Sequence, residues 1–167
     1  PMNVMDALEQ LELLQADGGT EMATALELAL GPNRQGERIR QVVFLTDGAV
    51  GNEAELLSLI DDRLGDSRLF TVGIGSAPNS YFMTRAATIG RGSHTAIGDV
   101  NEVQQRVEQL LTQLESPALT DITLTDGDGT ALSSWEIYPA PVPDLYFGEP
   151  LVVAIQSDTV GGTIRVS

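Results

Sequence analysis

The segment Gln41-Val42-Val43-Phe44-Leu45-Thr46 runs directly into Asp47-Gly48. All five residues after Gln41 are apolar or threonine, and no polar residue alternates with them. Such a run predicts a strand that is buried on both faces, as in a parallel α/β sheet. Asp47 would then follow the carboxyl end of this strand, at the edge where open α/β sheets bind their ligands.

A second oxygen donor is expected on a neighbouring loop. Thr20 ends the sequence Asp17-Gly18-Gly19-Thr20 and precedes Asp47 by 27 residues. Carboxylate and hydroxyl oxygens suit a hard divalent cation, so Thr20 and Asp47 are candidate metal ligands. The residues alone leave a structural alternative open, because Thr20 can cap the helix that follows and Asp47-Gly48 can form a turn.

Helical and strand patterns alternate along the chain as far as residue 116, which predicts parallel strands joined by crossover helices. Asn52 and Asp99 are expected as N-caps, and Gly31 and Gly65 as helix ends. The predicted helices cover residues 4–14, 22–30, 53–64, 81–89 and 100–114, and two further strands cover residues 69–75 and 94–97, the second at an edge of the sheet.

The helical periodicity stops at Ser116-Pro117, which predicts a domain boundary there. Residues 1–116 would form the α/β domain, and residues 117–167 a small C-terminal β segment. From Ile122 onward the apolar residues alternate with period two, and Asp126-Gly127-Asp128-Gly129 predicts a turn. Residues 151–155 and 163–166 are expected to pair as a hairpin.

Four motifs follow one another in order along the chain, and each is weak when taken alone. They are Gly18-Gly19-Thr20-Glu21-Met22, Val42 to Gly48, Leu69 to Gly75, and Ala87-x-x-Gly90-x-Gly92. Together they resemble the second half of a von Willebrand factor A-type domain, in the form found in inter-alpha-trypsin inhibitor heavy chains and their bacterial relatives. The resemblance implies a three-layer, Rossmann-like α/β fold with a parallel sheet, truncated at its N-terminus and followed by a small β segment.

The resemblance also implies a metal-ion-dependent adhesion site. In that family the site takes an Asp and two Ser from an Asp-x-Ser-x-Ser motif, a Thr from a second loop and an Asp from a third. Thr20 and Asp47 match the last two, whereas no Asp-x-Ser-x-Ser occurs in this chain. The expected site is therefore completed by upstream residues, and metal binding by this segment alone is expected to be weak or absent.

The function implied by the resemblance is that of a non-enzymatic binding or adhesion module. Mg²⁺ or Mn²⁺ would bridge the chain to a carboxylate of a protein ligand, at an extracellular or cell-envelope location in a bacterium. The alternative is a structural or interaction module in which the metal site is vestigial. The strand order of that family also implies an unpaired sheet edge beside the Asp47 strand, which predicts a homo-oligomer formed through that edge.

Composition excludes several other classes of function. The net charge of −15 and pI of about 4.1 argue against nucleic acid and anionic membrane surfaces as partners. All nine basic residues are arginine and cysteine is absent, which removes catalytic lysines, thiolate zinc sites and cysteine nucleophiles. No apolar run approaches 18 residues, so no membrane insertion is expected in this segment.

A phosphatase-like site is the third functional hypothesis. Asp126-Gly127-Asp128-Gly129-Thr130 imitates the Asp-x-Asp-Gly-Thr nucleophile motif of haloacid-dehalogenase-type phosphatases. The same five residues could begin a calcium loop, but Ile137 stands where that loop needs glutamate. A β turn is favoured over both, because Asp-Gly steps are common hairpin signals.

Overall fold

Three parallel strands form a sheet in the computed structural model, which describes residues 2–13, 21–32, 39–76, 79–115, 117–130, 132, 135–146, 150–157 and 163–167. The strands are β1 (Gln41–Thr46), β2 (Arg68–Ile74) and β3 (Arg91–Ile97), in the order β1-β2-β3. β2 pairs with β1 in unbroken register and with β3 on its other side. The strand predicted at residues 94–97 therefore begins earlier than expected, and it lies at an edge of the described sheet.

Helices cover both faces of the sheet. The helices are α1 (Met2–Glu12), α2 (Met22–Ala29), α3 (Glu53–Arg63), α4 (Ser80–Ile89) and α5 (Val103–Leu114). α2, α3 and α4 pack in one apolar cluster with Leu69 of β2. α5 packs on the opposite face against Phe70 and Val72. The result is a three-layer α/β fold, as the sequence predicts. No helix in the described part of the chain is long and apolar enough to cross a membrane.

Burial differs sharply between the first two strands. The first six residues of β2 are buried, whereas β1 is half-buried and the Leu45 side chain is 50% exposed. The prediction that Gln41–Thr46 is buried on both faces is therefore wrong. The reason is positional, because β1 pairs on one side only among the described residues and lies at the other edge of the sheet.

Gly92 is the last glycine of the Ala87-x-x-Gly90-x-Gly92 motif and lies near the start of β3. β2 advances two residues from Leu69 to Thr71 while β3 advances three, from Arg91 to His94, so β3 bulges at this point. A Cβ added to Gly92 would collide with the Leu69 carbonyl oxygen and would lie 3.1 Å from Cδ1 of Phe70. The side chain is absent here because the two backbones approach too closely to admit one.

Arg68 begins β2 and is buried, with 2% of its side chain exposed. Its guanidinium donates to both carboxylate oxygens of Asp144, at 2.5 and 3.2 Å, and to the Asp66 carbonyl oxygen at 3.0 Å. It also donates to Asp121, at 3.3 Å. Asp121 in turn accepts from Arg91 at 3.0 Å. Two carboxylates from the C-terminal segment thus neutralise two arginines at the amino-terminal end of the sheet.

Tyr146 lies two residues after Asp144 and packs in the apolar cluster on the α5 face of the sheet. Its ring meets Phe70 edge to face, with the ring centroids 5.5 Å apart. Burial raises the pKa of the Tyr146 phenol above its ordinary value, and a hydrogen bond with Gln41 partly opposes that rise. The C-terminal segment therefore contacts the sheet through Asp121, Asp144 and Tyr146, whereas the boundary expected at residue 116 stays a prediction.

The C-terminal strands pair differently from the expected hairpin. β4 (Pro117–Leu119) pairs with β7 (Leu145–Tyr146), β5 (Leu124–Asp126) with β9 (Ile164–Val166), and β6 (Glu136–Tyr138) with β8 (Ala154–Gln156), all antiparallel. The hairpin predicted for residues 151–155 and 163–166 is therefore wrong, because each of those segments pairs with an earlier strand instead.

The structure corrects one expected helix cap, at Asn52. α3 does begin after Asn52, but the Asn52 side chain makes no capping hydrogen bond and its backbone is left-handed, at φ 52°. α1 forms as predicted, but Val4, Leu8 and Leu11 of its apolar stripe are more than half exposed. By contrast, Asp99 caps the next helical turn through Asn101 N at 2.9 Å, and Gly65 ends α3 at φ 54°.

We predict that Gly92→Ala destabilises the fold by about 3 kcal/mol, because overpacking at a closed backbone contact forces the strands apart. Gly98→Ala is the matched control, since a Cβ at Gly98 meets no atom within 4 Å. Urea denaturation followed by circular dichroism measures both variants. Equal stability of the two variants would contradict the close approach of β3 to Leu69.

We predict that Asp144→Asn destabilises the protein by about 3 kcal/mol, because it leaves the buried Arg68 charge without its counterion. Asp121→Asn removes the same charge from a side chain that is 70% exposed, and it is expected to cost about 1 kcal/mol or less. Thermal denaturation should separate the two by roughly 4–8 °C, given about 2–4 °C per kcal/mol for a chain of this size. A larger loss for Asp121→Asn would refute this assignment.

Candidate functional site

Asp47 lies where the sequence predicts it, directly after β1 at the carboxyl-terminal edge of the sheet. Its side chain is exposed and makes no hydrogen bond or ion pair with any residue that the structure describes. The bend after the strand is held by another group, since Gly48 N donates to the Thr46 hydroxyl at 3.2 Å. The Asp47 carboxylate is thus not used by the turn that contains it.

Thr20 lies outside the described residues, so its pairing with Asp47 around one metal stays a prediction. Among the described residues, no three His, Cys, Asp or Glu side chains lie close enough to hold a metal ion. The chemistry of the two predicted donors suits Mg²⁺ or Mn²⁺, which prefer oxygen. Asp47 alone supplies one carboxylate, so a metal there needs further ligands and several waters.

A polar link that sequence reasoning missed joins two helices at the same edge. Asn79 precedes α4, and its Oδ1 accepts from Phe82 N at 3.0 Å in an N-cap. Its Nδ2 donates to Glu53 Oε1 in the first turn of α3. The available signal was an asparagine directly before Ser80-Tyr81-Phe82, a common position for an N-cap. Asn79 and Glu53 therefore fix the two helix ends that flank the β1 and β2 loops.

His94 has a structural role in the layer between sheet and helix. The buried Thr71 hydroxyl donates to the Met83 carbonyl oxygen at 2.9 Å. His94 Nδ1 lies 3.0 Å from that hydroxyl and 3.3 Å from the Thr71 carbonyl oxygen. Because the hydroxyl hydrogen is already used and a carbonyl oxygen only accepts, this geometry suits the tautomer in which Nδ1 donates. This bonding joins β2, β3 and α4, and the Thr71 hydroxyl that takes part in it is buried.

Asp126 is a turn residue, as favoured from the sequence. Its Oδ1 accepts from Asp128 N at 3.0 Å and Thr130 N at 2.8 Å, and Gly129 has φ 85°. The turn follows β5, which pairs antiparallel with β9. Neither the parallel-sheet scaffold of the phosphatase hypothesis nor the helix–loop–helix of a calcium loop surrounds these residues in the described chain.

Comparison with known proteins identifies the fold family. A family model described as "von Willebrand factor type A domain" matches residues 2–95. The chain belongs to this family. Domains of the von Willebrand factor A family are generally protein-interaction or adhesion modules without enzymatic activity.

Two relatives with similar sequences carry the same domain name. A von Willebrand factor A domain-containing protein of Dictyostelium discoideum is 28% identical over 144 residues, which is 86% of this chain and 17% of that protein. Von Willebrand factor A domain-containing protein 5B1 of Mus musculus is 28% identical over 124 residues, covering 73% of this chain and 10% of that protein. The chain therefore matches only a small part of each relative.

A solved structure supports the fold independently. The von Willebrand factor type A structure from Catenulispora acidiphila superposes with a TM-score of 0.60 at 20% sequence identity. The match covers 89% of this chain and 37% of that one. At this identity the likeness bears on the fold, and it agrees with the parallel sheet and its covering helices.

Proposed function

We propose that this chain is part of a divalent-cation-dependent adhesion or protein-binding module. Thr20 and Asp47 supply two ligands to Mg²⁺ or Mn²⁺, and upstream residues that this segment does not carry supply the others. The observation that carries the proposal is the position of Asp47. An exposed carboxylate without a described side-chain partner follows a sheet strand at the ligand-binding edge of an interaction-module fold.

The partner in this proposal is a protein that offers a carboxylate to an open position on the cation. A cation is needed because the chain is strongly acidic, with a net charge of −15, and would otherwise repel such a group. The motifs from Gly18 to Gly92 resemble those of the inter-alpha-trypsin inhibitor heavy chains, and this resemblance supports membership of that group as part of the proposal. A bacterial origin and an extracellular or cell-envelope location belong to the same proposal.

The second candidate is a structural or interaction module whose metal site is vestigial. The buried contact of Arg68 with Asp144 favours it, because that contact already uses one end of the sheet to hold the C-terminal segment. A vestigial site predicts no saturable cation binding. The two candidates are therefore separated by a metal titration.

We predict that Mn²⁺ binds this chain weakly but saturably, because Thr20 and Asp47 supply only two of its ligands, and that Asp47→Ala weakens this binding at least tenfold by removing the charged ligand. Asp61→Ala is the matched control, since it removes one exposed carboxylate from α3, away from the sheet edge. Isothermal titration calorimetry measures all three proteins. Equal binding by both variants would exclude Asp47 as a ligand, and absence of saturable binding would favour the vestigial site.

We also propose that the chain forms a homo-oligomer through β1. Among the described residues β1 pairs only with β2, so the peptide groups on its other side face no described strand. Leu45 is half exposed on this strand. Long apolar strand edges of this kind pair with other chains unless a charge blocks them.

We predict that Leu45→Lys shifts the chain from oligomer to monomer, because a lysine on an edge strand opposes pairing with another edge. Leu28→Lys is the control, since Leu28 is an exposed leucine on α2. Sedimentation velocity over a range of concentrations measures both variants. A monomeric parent chain at high concentration would contradict the proposed oligomer.

A further inference from the structure

A groove of about 400 Å³ lies between α2 and α3, beside the loop that follows β1. Its apolar lining comes from Met22 and Leu56, which are buried, and from Leu59, which is half-buried. Ala23 and Ala49 are small residues that also line it. The volume falls in the range of sites that hold a small ligand or a few side chains, so it suits a short segment better than a whole helix.

Three exposed carboxylates line the same groove, those of Glu21, Glu27 and Glu55. None of them has a side-chain hydrogen bond or ion pair with the residues that the structure describes. No arginine is among the residues that line the groove. Other carboxylates of the described chain do have partners, as Asp144 and Asp121 have with Arg68, and Glu102 with Arg106.

We propose that this groove docks a short peptide segment of a partner protein, in which arginine or lysine stands beside a bulky aliphatic residue. The apolar lining accepts the aliphatic side chain and the methylene stem of the basic residue, and the glutamates meet its charge. Anionic partners such as nucleic acid are repelled by the same carboxylates. This docking needs no cation at Asp47, so the groove proposal can be tested independently of the proposed metal site.

The test uses a fluorescein-labelled peptide of alternating arginine and leucine, titrated with the whole chain in EDTA and followed by fluorescence anisotropy. We expect saturable binding, and at least a tenfold loss of affinity in Ala23→Arg, which places a guanidinium among the groove's own carboxylates. Ala25→Arg makes the same change on an exposed face of the same helix outside the groove. It is expected to keep the affinity within about twofold.

A second pair of variants removes charge without adding bulk. Glu27→Gln combined with Glu55→Gln should weaken binding several-fold and flatten its dependence on salt, because fewer charges are then screened. Glu108→Gln, on α5 across the sheet, should change neither quantity. Equal losses in Ala23→Arg and Ala25→Arg would show attraction to the net charge alone and overturn the proposal. Absence of saturable binding, or equal binding of a glutamate–leucine peptide, would also overturn it.

Discussion

The guanidinium of Arg68 stands at the start of the most deeply buried strand, where an unpaired charge would cost several kcal/mol. Burial lowers the pKa of Arg68, but the hydrogen bond and charge of Asp144 outweigh that effect and raise it above its ordinary value. The residue is therefore always charged, and it always needs its counterion. That counterion lies 76 residues further along the chain. The central strand and the C-terminal segment are consequently parts of one packed unit.

Basic and acidic residues lie at opposite ends of the sheet. Arg40 precedes β1, and Arg68 and Arg91 begin β2 and β3, so three arginines lie at the amino-terminal end of parallel strands. Arg40 bonds Ser67 and the Gly31 carbonyl, and the other two meet carboxylates of the C-terminal segment. At the other end, Asp47 and Asp99 follow β1 and β3. These three arginines thus bond to groups of the described chain, whereas Asp47 at the carboxyl-terminal edge has no described side-chain partner.

Local patterns in the sequence were sufficient to predict the five helices, the three strands of the parallel sheet and the position of Asp47, but they did not predict β4, β6 or β7. Asp47 was accessible because the strand and the Asp-Gly step that follows it lie within eight residues. Long-range choices were not accessible in the same way. The run from Val42 to Thr46 shows that β1 can be buried on both faces, but burial also depends on the strands beside it. Residues 151–155 are all apolar and suit several strand partners equally well, so no local pattern selected β6. Arg68 and Asp144 are 76 residues apart, and no local sequence pattern predicts that they pair.

The loop from Asp47 to Asn52 connects the two proposed binding features, since Ala49, Gly51 and Asn52 line the groove that begins beyond Asp47. The proposed metal site would bind an acidic group of a partner, whereas the proposed groove would bind a basic one. A divalent cation at Asp47 would attract a carboxylate and reduce the negative potential that draws a basic side chain into the groove. A separate basic peptide and the cation would then each weaken the binding of the other by the same factor. A single partner that presents a carboxylate to the cation and a basic residue to the groove would satisfy both at once. Selectivity for such a partner would depend on the distance between its carboxylate and its basic residue. Neither site alone could distinguish partners by that distance.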